Sequence, residues 1–247
     1  MTAAMVEGPL AIVAAMPDEL AAVVGAMEVD EVVTIGGRAF HRGRHGREAA
    51  VAVVSRIGKV AAAATTAILI ERFAPRGVVM TGLAGAVDAR LAIGDIVIAD
   101  RLVQHDLDAR PLFPRHEIPL LGIGELRADP ALSERLVAAA TAFVPPPAIV
   151  ALGVAARVRV WRGLVASGDQ FFSSPAAVAT LRDLLPDVLA VEMESAAIAQ
   201  VCFEHGVPFA VARVISDTAD HAAALDFTRF LAVACGAYAR AILALPD

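Results

Sequence analysis

The sequence predicts an α/β fold, a single three-layer α/β/α domain around a central mixed β-sheet. Three observations predict it. Apolar runs of strand length alternate with segments of helical period along most of the chain. Hydrophobic residues make up 57% of the 247, enough to cover both faces of a sheet. No internal repeat and no Gly/Ser-rich linker interrupts the pattern, so residues 1–247 read as one domain.

The elements follow in order. Leu10 to Ala15 is a buried strand, and Pro17 to Met27 a helix with proline at an early position. Glu31 to Ile35, Gly36-Gly37, and Ala39 to Arg42 form a hairpin. Glu48 to Val54 is a strand, and Lys59 to Phe73 a helix packing through Ala, Ile and Leu. Gly77 to Thr81 is a strand ending at Gly82, and Ile96 to Val103 is another. Arg110 to Gly124 carries three prolines and no period, which predicts a long loop of the kind used at sites or interfaces. Asp129-Pro130 caps a helix running to about Val144. Arg157 to Ser167 is strand-like, Ser174-Pro175 starts a helix, and Leu189 to Glu192 is a strand. Ser195 to His205 is helical, Phe209 to Ile215 is a strand, and Phe227 to Leu245 is a closing helix.

Composition narrows the function. The net charge of −6 argues against a nucleic-acid surface, which needs clustered Lys and Arg. Cys202 and Cys235 fall on predicted helices and read as small core residues, since two thiols make no disulfide framework. Mean hydropathy is high, at +0.65. The longest charge-free stretch, Leu136 to Ala156, contains Pro145-Pro146-Pro147 and cannot span a membrane as a helix. No basic region precedes the first apolar run, so no secretory signal is expected and the chain reads as cytoplasmic. The excess of apolar residues is expected to cover a subunit interface in part. The six histidines are read as lacking metal-ligand spacing, and no metal or cofactor is expected.

Two stretches carry chemistry. VEMESAA, from Val191, sets Glu192 and Glu194 at the exit of an apolar strand. RVISDTAD, from Arg213, sets Asp217 after another, with Arg213 and Ser216 beside it. A carboxylate at a strand exit can face a ligand crevice while the strand stays dry, which shifts its pKa and fixes its aim. Read alone, Asp217 equally suits a turn cap, Met193 a core position, and an acidic residue after Pro17 a partner for the helix dipole.

Seven segments together resemble one family in its own order. They are AIVAAMPDEL (11–20), SRIGKVAAA (55–63), TGLAGAVDARLAIGDIVIAD (81–100), QHDLD (104–108), SGDQFF (167–172), VEMESAAIAQVC (191–202), and RVISDTAD with LDF ending at Phe227. The chain resembles the 5′-methylthioadenosine/S-adenosylhomocysteine nucleosidases of the nucleoside phosphorylase superfamily. The resemblance implies a nucleoside phosphorylase-like fold and hydrolysis of an N-glycosidic bond to adenine, with a transition state like that of other glycosyl hydrolysis.

The resemblance also implies roles. Asp217 is the acid toward the purine and Glu19 the base toward water. Glu194 accepts from the ribose hydroxyls, with Met193 against the sugar. Phe171 stacks on adenine, the backbone of Phe172 meets the base edge, and Arg213 and Ser216 orient the site. Met16 and Ile57 line the pocket, and Phe227 closes near the 5′ substituent. Leu112, Phe113 and Pro119 are the implied contribution of a partner subunit, so a homodimer is expected. Glu192 stays outside the catalytic set, as a supporting or helix-capping group, and the QHDLD acids are read as pocket wall. Two residues depart from the family pattern. Leu83 stands where Ser or Thr is usual, and Arg56 where Gly is common. A phosphorylase of the same superfamily and a nucleoside-binding protein without chemistry remain the alternatives.

Overall fold

The protein is described by a computed structural model, which covers residues 8–218 and 223–244. Ala219, Asp220, His221 and Leu245, named in the sequence reading, lie outside the described residues.

Strands β1 (Leu10–Ala14), β4 (Glu48–Val54), β5 (Gly77–Ala86) and β10 (Phe209–Asp217) run parallel at the centre of a mixed sheet. Beyond β4 the antiparallel strands β3 (Arg38–His45) and β2 (Met27–Ile35) form the edge. On the other side β10 pairs antiparallel with β6 (Ile96–Gln104), which pairs with β8 (Val160–Ser167) and the short β7 (Glu125–Arg127). Strand β9 (Val188–Glu192) lies beside β8 and returns to the end of β5 through Gly85↔Val191, closing β5, β10, β6, β8 and β9 into a ring.

The pleat distributes β1 between two cores. Ala11 and Val13 pack with Ala62 and Leu69 of α2 (Lys59–Phe73) and with Ala196 and Ile198 of α6 (Ser195–Glu204). Leu10 and Ile12 face the opposite core. There they meet α1 (Pro17–Val24), α3 (Pro130–Ala142), and the C-terminal helices α7 (Ala223–Val233) and α8 (Cys235–Leu243). Both faces are covered, so the parallel strands are near-continuous apolar runs. The short α4 (Pro147–Val150) and α5 (Pro175–Leu184) complete the helices. No helix among the described residues is long and apolar enough to cross a membrane.

Several boundaries differ from expectation. Helix α1 stops at Val24, not Met27, because Gly25 caps it and Met27 already pairs with His45. That hairpin is longer than expected on both arms. Strand β5 does not end at Gly82 but continues to Ala86, paired with β10 as far as Gly85 and with β9 at Gly85 and Ala86. Strand β7 was not foreseen; three residues carry too little pattern. Helix α3 ends at Ala142, and the triproline does not simply break structure, since Pro147 opens α4 at a position where its missing N–H costs nothing. The single closing helix is two, with a break at Ala234. Gly236 lets α8 lie close on α1, where an added Cβ would stand 3.1 Å from Ala22 Cβ.

Candidate active site

Glu19 is the third helical residue of α1, just past the end of β1, and it is 3% exposed. Its Oε2 accepts from the backbone N–H groups of Ala15 and Met16, both at 2.9 Å, and its Oε1 from that of Leu83 at 3.0 Å. The local helix-cap reading and the site reading therefore hold together: the carboxylate caps its own helix while bridging to β5. Gly82 makes the bridge possible, because a Cβ there would stand 2.7 Å from Glu19 Oε1 and 2.4 Å from Arg213 Nη1. Burial pushes the Glu19 carboxyl above the ordinary glutamate range, against the opposing pull of Arg213 and the three amides.

Arg213, on β10, is fully buried and serves as the hub. Its Nη2 donates to Glu192 Oε2, to Glu194 Oε2 at 3.2 Å and to Ser195 Oγ at 3.0 Å, and its Nε reaches Ser195 Oγ at 3.2 Å. Burial pulls its pKa down, but Glu192, Glu194 and Glu19 together hold it above the ordinary arginine value. Glu192, at the end of β9, also accepts from Ser167 Oγ, from Glu194 N at 3.1 Å, and from Ser195 N at 3.0 and 3.1 Å. It thus caps α6 and fixes Arg213 at once, a role sequence reasoning left open. Glu194 Oε1 takes the Gly58 N–H at 3.1 Å. Burial first, then the Glu192 charge, pushes Glu194 up to about 8, with Arg213 opposing.

Asp217 ends β10 and is 2% exposed, with Ser216 Oγ donating to its Oδ2 at 2.8 Å. The register slips here: Ile215 pairs with Ala84, and Asp217 with Gly85, so Ser216 is the extra residue of a bulge. Bulges re-aim side chains at strand ends, and this one lets Ser216 and Asp217 both border the same crevice.

That crevice encloses about 140 Å³ and opens to solvent. It lies at the carboxyl ends of the parallel strands, where α/β sheets bind ligands. Glu19, Asp217, Met16, Ile57, Phe171, Phe172, Met193, Glu194, Arg213, Ser216 and Phe227 all line it. Phe171 and Phe227 stand edge to face at 6.0 Å between ring centroids near the mouth. Leu112, Phe113 and Pro119 do not line it; they sit on the long loop, with Leu112 83% exposed.

The loop before Phe171 is tied down. Asp169 accepts from Lys59 N at 2.8 Å, and Asp106 takes both Lys59 Nζ at 2.5 Å and Asp169 N at 3.0 Å. Asp106 therefore braces the loop before Phe171, while Asp108 pairs with Arg110 and Arg115. His41 and His45 do stand four apart, a spacing that chelates on a helix. They lie on β3, where that spacing is roughly 13 Å. Of the two departures, Leu83 reaches Glu19 through its backbone N–H, which any side chain would supply. Arg56 does not line the crevice; its Nη2 donates to Gly37 O at 2.8 Å.

Residues 9–245 match the model of the phosphorylase superfamily. Over 236 residues the chain is 39% identical to the 5′-methylthioadenosine/S-adenosylhomocysteine nucleosidase of Geobacillus thermodenitrificans, covering 95% of this chain and 94% of the relative. The chain belongs to this nucleosidase family. A solved nucleosidase from Neisseria meningitidis, in complex with methylthio-immucillin-A, superposes with a TM-score of 0.84 at 34% identity, covering 94% of this chain and 96% of that one. The futalosine hydrolase of Helicobacter pylori superposes at 0.81 with 32% identity, covering 94% of each chain. The nucleosidase family fold accounts for the closed sheet and its flanking helices.

Proposed function

We propose that this protein is a hydrolase that cleaves the N-glycosidic bond of 5′-methylthioadenosine and S-adenosylhomocysteine and releases adenine. The observation that carries the reading is the meeting of Glu19, Glu194 and Asp217 in one crevice whose lining guanidinium, Arg213, is already engaged by carboxylates. Asp217 gives a proton to the purine as the C1′–N9 bond breaks, and the bonding pair leaves with adenine. Glu19 takes a proton from water, whose oxygen bonds to C1′ on the opposite face. Glu194 accepts from the ribose hydroxyls, with Met193 against the sugar, and Phe171 stacks on the base with the Phe172 backbone at its edge. Phosphorolysis needs free cationic donors for phosphate. Of the Arg213 nitrogens, Nε and Nη2 are engaged by Glu192, Glu194 and Ser195, and Nη1 contacts Leu83 O at 3.5 Å.

The chain acts as one domain in a cytoplasmic homodimer, within recovery of methylthio compounds. Leu112, Phe113 and Pro119 of the long loop complete the 5′ pocket of the partner. The exposure of Leu112, Leu120, Ile57 and Val60 supports such a covered face. Adenine release from methylthioadenosine, with and without inorganic phosphate, is the test of the reaction. Release without phosphate is expected, and a phosphate requirement overturns it. Absence of release from either nucleoside leaves a binding protein. Asp217→Asn is expected to bind substrate and scarcely turn it over. Light scattering that finds a fully active monomer removes the shared pocket.

A further inference from the structure

A second recess opens beside the crevice and shares Ala15, Met16 and Ile57 with it. Its outer wall carries two guanidiniums, Arg38 and Arg56, together with His41. Both arginines contact backbone carbonyls only: Arg56 reaches Gly37, and Arg38 reaches Gly36 at 3.1 Å and Ala61 at 3.4 Å. Neither forms an ion pair among the described residues, and the buried Nε of Arg38 finds no hydrogen-bond partner there. The two cations are near enough that Arg56, after burial, helps hold Arg38 below the ordinary arginine value. Two adjacent cations that face no carboxylate are unfavourable unless an anion visits them.

The direction of the recess follows from the segment that builds it. Gly58 donates to Glu194, the carboxylate assigned to the ribose diol. Ile57 lines the shared wall, and Arg56 lies one residue farther from the sugar. Asp217 and the Phe171–Phe172 wall take the base end. A chain leaving the ribose past Met16 and Ile57 therefore runs toward the two arginines.

Resting on the nucleosidase reading, we infer that Arg38 and Arg56 form an anion subsite that favours adenine nucleosides whose 5′ substituent ends in a carboxylate over those ending in a methyl group. The planar fork of a guanidinium suits a carboxylate, and the half-open setting makes the preference sensitive to salt.

The test compares kcat/KM for S-adenosylhomocysteine and methylthioadenosine in the wild type, Arg56→Gly and Arg38→Met. Arg56 has φ 73, so glycine relieves the backbone rather than straining it and folding is not at risk. The ratio of the two constants is expected to fall about ten-fold in each variant, the size of one charge-assisted hydrogen bond, and to shrink with added potassium chloride in the wild type. A ratio that stays within about two-fold in both variants overturns the subsite. An arm with inorganic phosphate separates the two sources of anion. Phosphate that accelerates methylthioadenosine cleavage only while Arg56 is present assigns the recess to free phosphate and overturns the carboxylate tail. If the wild type cleaves neither nucleoside, it is the nucleosidase reading that fails, not the subsite.

Discussion

Replacing Glu192 by glutamine tests whether the site depends on the carboxylate in closest contact with the buried Arg213. Glu192 accepts from Ser167 Oγ, Glu194 N, Ser195 N and Arg213 Nη2, and it is 7% exposed. Glutamine keeps the shape but loses the charge, and its amide nitrogen points donors at donors. Removing one partner of a buried pair costs roughly 3–5 kcal/mol. For a chain of this size each kcal/mol is worth roughly 2–4 °C of melting temperature, so E192Q should melt on the order of ten degrees lower. A second effect follows from charge. After burial, Glu192 is the main influence holding Glu194 at about 8. Without it Glu194 ionises at lower pH, and because Glu194 must be ionised to accept from the sugar, the acidic limb of the kcat/KM profile moves to lower pH. Calorimetry and adenine release across pH measure both. A melting temperature within about two degrees of wild type, with the acidic limb unmoved, refutes the coupling. A loss of stability alone reduces Glu192 to a helix cap.

Other variants probe single links. Glu19→Gln should lose about 10²–10⁴ in kcat with little change in KM, as read by adenine release, because the amide cannot take a proton from water. Leu83→Ser should keep turnover within about three-fold, since its contact with Glu19 is through the backbone; a larger gain would make the missing hydroxyl a working group. Gly82→Ala should cost about 1–3 kcal/mol in denaturant melts and lower kcat, because its Cβ would collide with Arg213 and Glu19, each of which is held in place. Glu194→Gln should gain stability over wild type as pH rises. The folded state raises this pKa, so the wild type is most stable below the unfolded glutamate value and loses that stability as pH climbs to about 8, a loss the amide does not share.

The strands were legible because β1, β5 and β10 are buried on both faces and read as unbroken apolar runs. The ends were less so. Gly82 reads as a terminator, yet the chain continues because two side chains need the space a Cβ would fill. Asp217 and Glu192 were visible as acids at strand exits. That Glu192 rather than Glu194 makes the closer contact with Arg213 was not, since Glu192 ends β9 and Glu194 lies in the turn into α6, and only the folded turn decides which meets the guanidinium. The amides of Ala15, Leu83 and Gly58 left no signal at all, because a backbone N–H has no sequence signature. Arg56 stands out in the sequence as a departure from the family pattern, but only the structure shows that it lines the adjoining recess.

The charge inventory of the crevice decides between water and phosphate more firmly than any single residue. Glu19, Glu192, Glu194 and Asp217 surround one guanidinium, and each carboxyl is at most 7% exposed. Burial raises the Glu19 and Glu194 carboxyls above the ordinary glutamate range, while Arg213 pulls both the other way. A phosphate anion entering this site would meet repulsion from every side except that of Arg213, whose charge Glu192 and Glu194 already offset. A neutral nucleoside meets no such barrier. In the proposed mechanism the ribose becomes cationic between Glu19 and Glu194 as the glycosidic bond lengthens, and acids that disfavour one another then face a positive charge. Negative charge fixed at that position is worth more at the transition state than in the ground state, so in the proposed mechanism it lowers the barrier rather than merely binding the substrate.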